Sequence, residues 1–169
     1  MRKKGARPLI FAAVLAIAAG AAVAAVGQTS PPPSGTLTFK ELDKGSKFAF
    51  IDNPPRSKRK GEPSASIGDD LTFGNPLVDG AGKRIGTLYV HCTIVRGSRR
   101  ILNASTLCNG AYAFAGQGTL TIEALAAPIS AKTVTGTITG GTGKFANARG
   151  TFQSTSTKTG SDDTVTFAG

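Results

Sequence analysis

The sequence predicts an all-β domain, a single eight-stranded antiparallel β-barrel that follows an N-terminal signal peptide. From residue 35 onward, short segments rich in β-branched and aromatic residues alternate with Gly, Asp, Asn and Pro. In this part of the chain no long segment has the periodicity of an amphipathic helix. The short connections leave no room for the crossovers that parallel strands need, so the strands should be antiparallel. Closure into a barrel removes exposed strand edges and is favoured over a sandwich.

Eight segments have the composition and alternation of strands. They are 36–43, 46–53, 86–96, 104–115, 118–127, 131–139, 148–157 and 162–168. In the third of them Leu88, Val90, Cys92 and Ile94 fall on one face, as a half-buried strand requires. The stretch 54–85 contains four prolines and is predicted to be mostly loop, with one short strand near 71–73.

The first 27 residues have the order of parts of a secretory signal peptide. Four cations, Arg2, Lys3, Lys4 and Arg7, precede an apolar run at 9–26 that ends in small residues. An uncleaved membrane anchor is the alternative, since the run is just long enough to span a bilayer. Half of the run is alanine, which is only weakly hydrophobic. This composition favours cleavage near residues 24–27 and a secreted, extracellular protein without membrane attachment. Residues 28–35 are proline-rich and predict a linker, so that 36–169 form the barrel.

The net charge of +10 falls to +6 when the four cations of the signal segment are removed. Two basic clusters remain, at 56–60 (RSKRK) and 96–100 (RGSRR). Both lie beside Gly, Ser and Pro without interleaved aromatic residues, so we expect solvated loops and no nucleic-acid partner. Binding of an anionic polymer or cell surface through these loops is the alternative.

The two cysteines, Cys92 and Cys108, lie on adjacent predicted strands, and export favours a disulfide between them. A CxxC motif is absent from the sequence. The single histidine, His91, precedes Cys92 directly, and neighbours on a strand point to opposite faces. We therefore expect neither a nucleophile–base pair nor a metal site.

The most distinctive segment is ITGGTGKFANARGTF at 138–152. It does not fit a phosphate-binding loop, because Ile138 stands where a Walker motif needs glycine and Phe145 follows Lys144. Glycine tolerates positive φ, so a tight strand-to-strand turn is the better prediction, with Phe145 packed beneath it. The glycines predicted to form this turn are Gly140, Gly141 and Gly143.

This segment resembles the signature of dirigent proteins and allene oxide cyclases, in which a Gly-Gly-Thr/Ala-Gly turn precedes an aromatic residue. FKELDKGS at 39–46 and GDDLTFGNPL at 68–77 resemble other segments of the cyclases. The resemblance runs from about residue 37 to residue 152. It implies an eight-stranded antiparallel barrel, often trimeric, with a cavity for a small apolar ligand. It further implies isomerase- or cyclase-like chemistry, or dirigent-like stereocontrol, without a cofactor.

The resemblance also suggests site residues. The acidic residue that dirigent proteins carry at the end of the first strand falls on Asp43, and the arginine of their Ala-Arg-Gly step falls on Arg149. A turn role for Asp43 and a packing or ion-pair role for Arg149 are the structural alternatives. The glutamate and asparagine of the plant cyclases are replaced by Thr38 and Lys40.

Tyr112 and Phe114 alternate with small residues along one strand, which makes them candidates for ligand contact or for core packing. The first functional hypothesis is a secreted barrel that steers the cyclisation or stereoselective coupling of a small apolar molecule. The second is a non-catalytic extracellular scaffold or binding protein that has lost the family chemistry, since fold does not imply function.

Overall fold

A computed structural model describes residues 31–53 and 64–169, and in this part of the chain it shows an all-β protein. Eight antiparallel strands close into a barrel, as the sequence predicts, and one further strand extends the sheet. The strands are β1 (Gly35–Leu42), β2 (Lys47–Ile51), β3 (Asp70–Val78), β4 (Arg84–Arg96), β5 (Ser105–Phe114), β6 (Gly118–Ala126), β7 (Thr133–Gly141), β8 (Gly150–Ser156) and β9 (Gly160–Phe167).

The predicted signal peptide, residues 28–30 of the predicted linker and the basic cluster at 56–60 lie outside the described residues. The described helices are two single 3₁₀ turns, Ile101–Asn103 and Gly143–Phe145. None of the described helices has the length and apolar character that crossing a membrane requires.

The strand order in the sheet is β1-β9-β8-β7-β6-β5-β4-β3-β2, and β1 also pairs with β3 to close the barrel. This closure is short, because it joins Lys40 to Val78 and Glu41 to Leu77. The amino-terminal part of β3 pairs with β2 instead. The extra strand β2 therefore continues the sheet beyond the point at which the barrel closes.

The strand β3 corrects the predicted length of the short strand within 54–85. It spans nine residues, three times the short strand predicted near 71–73. Pro76 misled the prediction, because proline cannot donate to a strand ladder. In the structure Pro76 falls between the residues that pair with β2, which end at Gly74, and those that pair with β1, which begin at Leu77. At that point one side of β3 has no neighbour, and a proline is tolerated.

Alternation along the strands places one set of side chains inside the barrel. The predicted face of β4, from Leu88 to Ile94, is buried. Aromatic rings fill the centre of the barrel. The ring of Tyr112 makes T-shaped contacts with the rings of Phe39 and Phe152, at centroid distances of 4.9 Å and 6.1 Å. Such edge-to-face contacts add to the free energy gained by burial.

One end of the barrel is filled by the connection between β7 and β8. Phe145 of this connection is buried beneath the turn, as predicted, and its ring lies 5.1 Å from that of Phe114. Gly143 has a φ of 59°, which glycine adopts readily. Gly140 and Gly141, which were predicted to share the turn, instead end β7 in extended backbone. Only one of the three predicted turn glycines therefore needs positive φ.

The predicted disulfide between Cys92 and Cys108 is present. The two residues are directly opposite each other on β4 and β5. The long connection 97–104 separates these strands, so the bond joins positions 16 residues apart. A link across such a segment restricts the unfolded chain more than the folded one.

Replacing both cysteines by alanine should lower the free energy of unfolding by about 3 kcal/mol, the stabilisation expected for a loop of this length. Urea denaturation of the oxidised protein and of the double variant measures the difference. Wild-type protein treated with a reductant should shift by a similar amount. A loss well below about 1 kcal/mol would show that the pairing of β4 and β5 does not depend on the bond.

Candidate functional site

The barrel contains a cavity of about 180 Å³. The rings of Phe114 and Phe145 pack together at one end of the barrel, and the cavity lies away from that end. Ile129, in the connection between β6 and β7, lines it, so the cavity lies toward the end of the barrel that carries this connection. We call it the barrel cavity. Its apolar lining is Phe73, Leu88, Val90, Ile122, Ala124, Ala126, Ile129, Val134 and Phe152, with the disulfide in the same wall.

One side of the barrel cavity is polar. Glu41, at the end of β1, lines the cavity and is only 7 % exposed. Asn75 of β3 donates a hydrogen bond from its amide nitrogen to Glu41 Oε2 at 2.8 Å. The short pairing of β1 with β3 brings these two side chains together, because Glu41 is opposite Leu77. Asn75 therefore holds the carboxyl of Glu41 in one orientation.

A second carboxyl lies behind the first. Asp163 of β9 is 1 % exposed, and its side chain is in hydrogen-bonding contact with that of Glu41. In the register of β1 and β9, Glu41 is opposite Ser161 and Phe39 is opposite Asp163, so both acids point into the barrel. Ser161 donates a hydrogen bond to Asp163 Oδ1 at 3.1 Å. We call Glu41 and Asp163 the acid pair.

The acid pair is in an environment that favours the protonated form. Burial raises the pKa of Glu41 to about 9, and the hydrogen bond and charge of Asp163 add to the increase. Burial also raises the pKa of Asp163, although hydrogen bonds from Glu41, Ser154 and Ser161 oppose the increase. Two carboxyls in contact share a proton because both cannot ionise at low cost. Glu41 therefore keeps its proton at neutral pH.

The hydrogen bonds locate this proton. Asp163 Oδ2 is buried, and no hydrogen-bond donor among the described residues contacts it. A buried acceptor without a donor costs about 1–3 kcal/mol. A proton on Glu41 supplies the missing donor, while the other oxygen of Glu41 accepts from Asn75. The arrangement is thus a neutral glutamic acid whose proton faces the side chain of Asp163.

Tyr112 lies next to the acid pair at the centre of the barrel. Its side chain lines the cavity and is 1 % exposed. Burial raises the pKa of Tyr112 far above its ordinary value, and the charges of Asp163 and Glu41 raise it further. Its phenol therefore stays protonated. Of the two predicted ligand-binding residues, Tyr112 lines the cavity, whereas Phe114 is buried in the aromatic filling.

The structure does not bring Asp43 and Arg149 together. Asp43 is exposed in the turn after β1, where its backbone carbonyl accepts a hydrogen bond from Ser46. Arg149 is exposed before β8 and donates to the carbonyl of Ala148 at 2.6 Å. Because β1 and β8 both pair antiparallel with β9, they run in the same direction, and the two residues are at opposite ends of the barrel. Neither lines the barrel cavity.

Sequence reasoning missed the acid pair, although a signal was present. Leu37, Phe39 and Glu41 alternate on one face of the first strand, and so do Asp163, Val165 and Phe167 on the last. An acidic residue on the same strand face as apolar residues is predicted to be buried. The described residues contain no group of three or more His, Cys, Asp or Glu side chains placed to hold a metal ion.

These features define a closed β-barrel with an apolar cavity and a buried acid pair at one wall. No family model and no curated protein matches the sequence. Solved structures with a similar fold include pyocyanin demethylase, with a TM-score of 0.60 at 23 % identity, covering 79 % of this chain and 100 % of that one. The pterocarpan synthase dirigent protein PsPTS1 has a TM-score of 0.55 at 25 % identity, covering 79 % and 90 %.

The Diels–Alderase AbmU from Streptomyces koyangensis is a third similar structure, with a TM-score of 0.53 at 17 % identity, covering 86 % of this chain and 72 % of that one. The fold of the chain is therefore that of dirigent and cyclase-type barrels, as the sequence resemblance implies.

Proposed function

We propose that this protein binds a small apolar molecule in the barrel cavity and steers its cyclisation or stereoselective coupling. The observation that carries the proposal is the acid pair, a buried proton donor at the wall of a cavity whose lining is mostly apolar. A carboxylic acid in water is ionised at neutral pH, whereas burial can keep it protonated.

The size of the cavity limits the ligand. A cavity of about 150 Å³ holds one benzene molecule, so 180 Å³ accommodates about one aromatic ring with a short substituent. A tight apolar site would hold one conformer of a reactive molecule, so that the entropy of ordering is lost on binding rather than at the barrier. Walls of different shape on the two sides of the ligand would then select one product.

The acid pair would supply the chemistry. Glu41 donates its proton to a substrate oxygen as negative charge develops there, and its carboxylate recovers a proton when the product forms. Asp163 stabilises the proton on Glu41 before transfer, and Asn75 orients the carboxyl. This cycle uses no cofactor. The roles of Asp43 and Arg149 stay predictions from the resemblance, tested by comparing Asp43→Asn and Arg149→Ala with variants of the acid pair.

Other parts of the proposal come from the sequence. The predicted signal peptide and the disulfide fit a secreted protein, since disulfides persist in oxidising compartments. The resemblance to dirigent proteins and cyclases predicts a homotrimer, which native mass spectrometry of the mature protein tests. The name of the dirigent neighbour, a pterocarpan synthase, supports a small cyclic product.

A non-catalytic binding protein is the second candidate. The separation of Asp43 from Arg149 favours it, because the two residues that the resemblance assigns to chemistry do not share a site. Under this alternative the acid pair would act in binding only.

Filling the cavity tests whether it is the binding site. Ala124→Phe should reduce the affinity for uncharged one-ring aromatic compounds by at least about tenfold, because the new ring occupies the ligand volume. Leu125→Phe is the matched control, since Leu125 is the next residue of β6 and is 57 % exposed on the outer face. Titration calorimetry of wild-type protein and both variants measures the affinities.

Overpacking also costs stability, so circular dichroism should first show that Ala124→Phe is folded. Equal affinities in the wild type and Ala124→Phe would place the ligand elsewhere. A folded wild type that binds none of the aromatic compounds would favour a scaffold without a small-molecule site.

A further inference from the structure

We infer that the barrel cavity selects apolar ligands that carry a positive charge, such as a protonated amine, over neutral or anionic ligands of the same shape. The inference rests on the proposed function, because it assigns a charge class to the ligand of the same cavity. It follows from the charges on the walls, the aromatic rings around the polar wall, and the arrangement of the acid pair.

The lining of the cavity contains an acid and no base. Glu41 is its one carboxyl, and no Lys, Arg or His side chain is among the residues that form the walls. The one cation of strand β1, Lys40, points outward and pairs with Asp162 at 3.4 Å on the exposed surface. An anionic ligand such as a carboxylate would therefore find no partner for its charge inside the barrel.

The acid pair is held by hydrogen bonds from neutral groups, including those of Asn75 and Ser161. A negative charge on either carboxyl would therefore be without a counter-ion, and a buried charge without a counter-ion is costly. A ligand with a single positive charge would supply that counter-ion. A ligand with a negative charge would instead place an anion beside two acids, which disfavours binding.

The other walls favour a cation too. The side chains of Phe73, Tyr112 and Phe152 are part of the lining. The face of an aromatic ring attracts a positive charge, and the attraction is about 2 kcal/mol or more when the cation has lost its water. An ammonium group beside Glu41 would thus contact a carboxyl and aromatic rings, while the apolar part of the ligand fills the remaining volume.

Basic side chains outside the cavity act in the opposite direction but weakly. Arg96, Arg99 and Arg100, in and before the connection from β4 to β5, are at least partly exposed. Solvent and salt screen exposed charges over roughly 8 Å at physiological ionic strength. These arginines can concentrate anions at the surface, but the groups inside the cavity determine which ligand is held.

Three probes of nearly equal shape test the inference: benzylamine, benzyl alcohol and benzoate. Titration calorimetry at neutral pH should show benzylamine binding at least about tenfold more tightly than benzyl alcohol, a difference of about 1.4 kcal/mol. Benzoate should bind most weakly. Equal affinities for the three, or tightest binding of benzoate, would overturn the inference.

Two variants attribute the preference to the acid pair. Glu41→Gln removes the carboxyl of Glu41 but keeps that of Asp163, so benzylamine should remain preferred. The double variant Glu41→Gln with Asp163→Asn removes both carboxyls, and benzylamine should fall to the affinity of benzyl alcohol. A preference that persists in the double variant would assign it to another group and overturn the inference.

The same experiment separates this inference from the proposed function. If benzyl alcohol binds and Ala124→Phe abolishes its binding, the cavity is a ligand site whatever the effect of charge. If no probe binds, the proposed function fails together with the charge preference.

Discussion

Replacing Glu41 by glutamine should give a folded barrel whose stability depends less on pH and which no longer promotes a reaction in its cavity. The amide can donate a hydrogen bond to Asp163 and accept one from Asn75, so it replaces the protonated carboxyl in shape and bonding. It has no proton to transfer. This one substitution therefore keeps the hydrogen bonds of the site and removes its proton transfer.

The sign of the pH effect follows from the raised pKa of Glu41. Between its ordinary value of 4.5 and about 9, the folded protein keeps a proton that the unfolded chain has released. The free energy of unfolding therefore decreases as pH rises through this window, by at most about 1.4 kcal/mol per pH unit for one proton. It is highest below the ordinary pKa. Glutamine does not titrate, so this contribution is absent from the variant.

Urea denaturation of the wild type and of Glu41→Gln at several pH values between 5 and 9 measures the two slopes. Glu123→Gln is the matched control, because Glu123 is exposed on the outer face of β6 and meets water in both the folded and the unfolded state. Identical slopes in wild type and Glu41→Gln would show that Glu41 is ionised at neutral pH. A Glu41→Gln variant that retains full product formation would remove Glu41 from the proposed chemistry.

Replacing Tyr112 by alanine should cause the largest loss of stability among single substitutions in the cavity. The ring is 1 % exposed and contacts the rings of Phe39 and Phe152 edge to face. Truncation of a large buried aromatic residue costs about 3–5 kcal/mol, because the transfer free energy of the ring is lost and a void is left. The void would also join the existing cavity.

Tyr112→Phe separates the ring from the hydroxyl. This variant keeps the aromatic packing, so it should lose far less stability than Tyr112→Ala, and any change in ligand selectivity would then belong to the phenol. Urea denaturation measures the stabilities, and calorimetry with benzyl alcohol measures binding. If Tyr112→Ala costs less than about 1 kcal/mol, the ring packing at the centre of the barrel is not a main source of stability.

Much of the fold could be predicted because strand alternation is a local property. Each strand that buries one face must repeat its apolar residues every second position, and Leu88 to Ile94 shows this without knowledge of the neighbouring strands. The disulfide could be predicted as well, since two cysteines on adjacent predicted strands, in a chain with a predicted signal peptide, leave one natural pairing.

The position of β3 could not be predicted in the same way. Whether Pro76 interrupts a strand depends on which neighbours the strand has at that residue. The neighbours are set by the closure of the barrel, which is a contact between residues far apart in sequence. Local composition carries no information about it.

The sequence by itself determined the all-β class, the strands with clear alternation and the cysteine pair, because these depend on spacing along the chain. The tertiary structure decided the site. Glu41 and Asp163 are more than one hundred positions apart, and they meet only because β9 returns beside β1. Burial of both carboxyls at that meeting point raises their pKa values and gives the cavity a protonated acid at neutral pH.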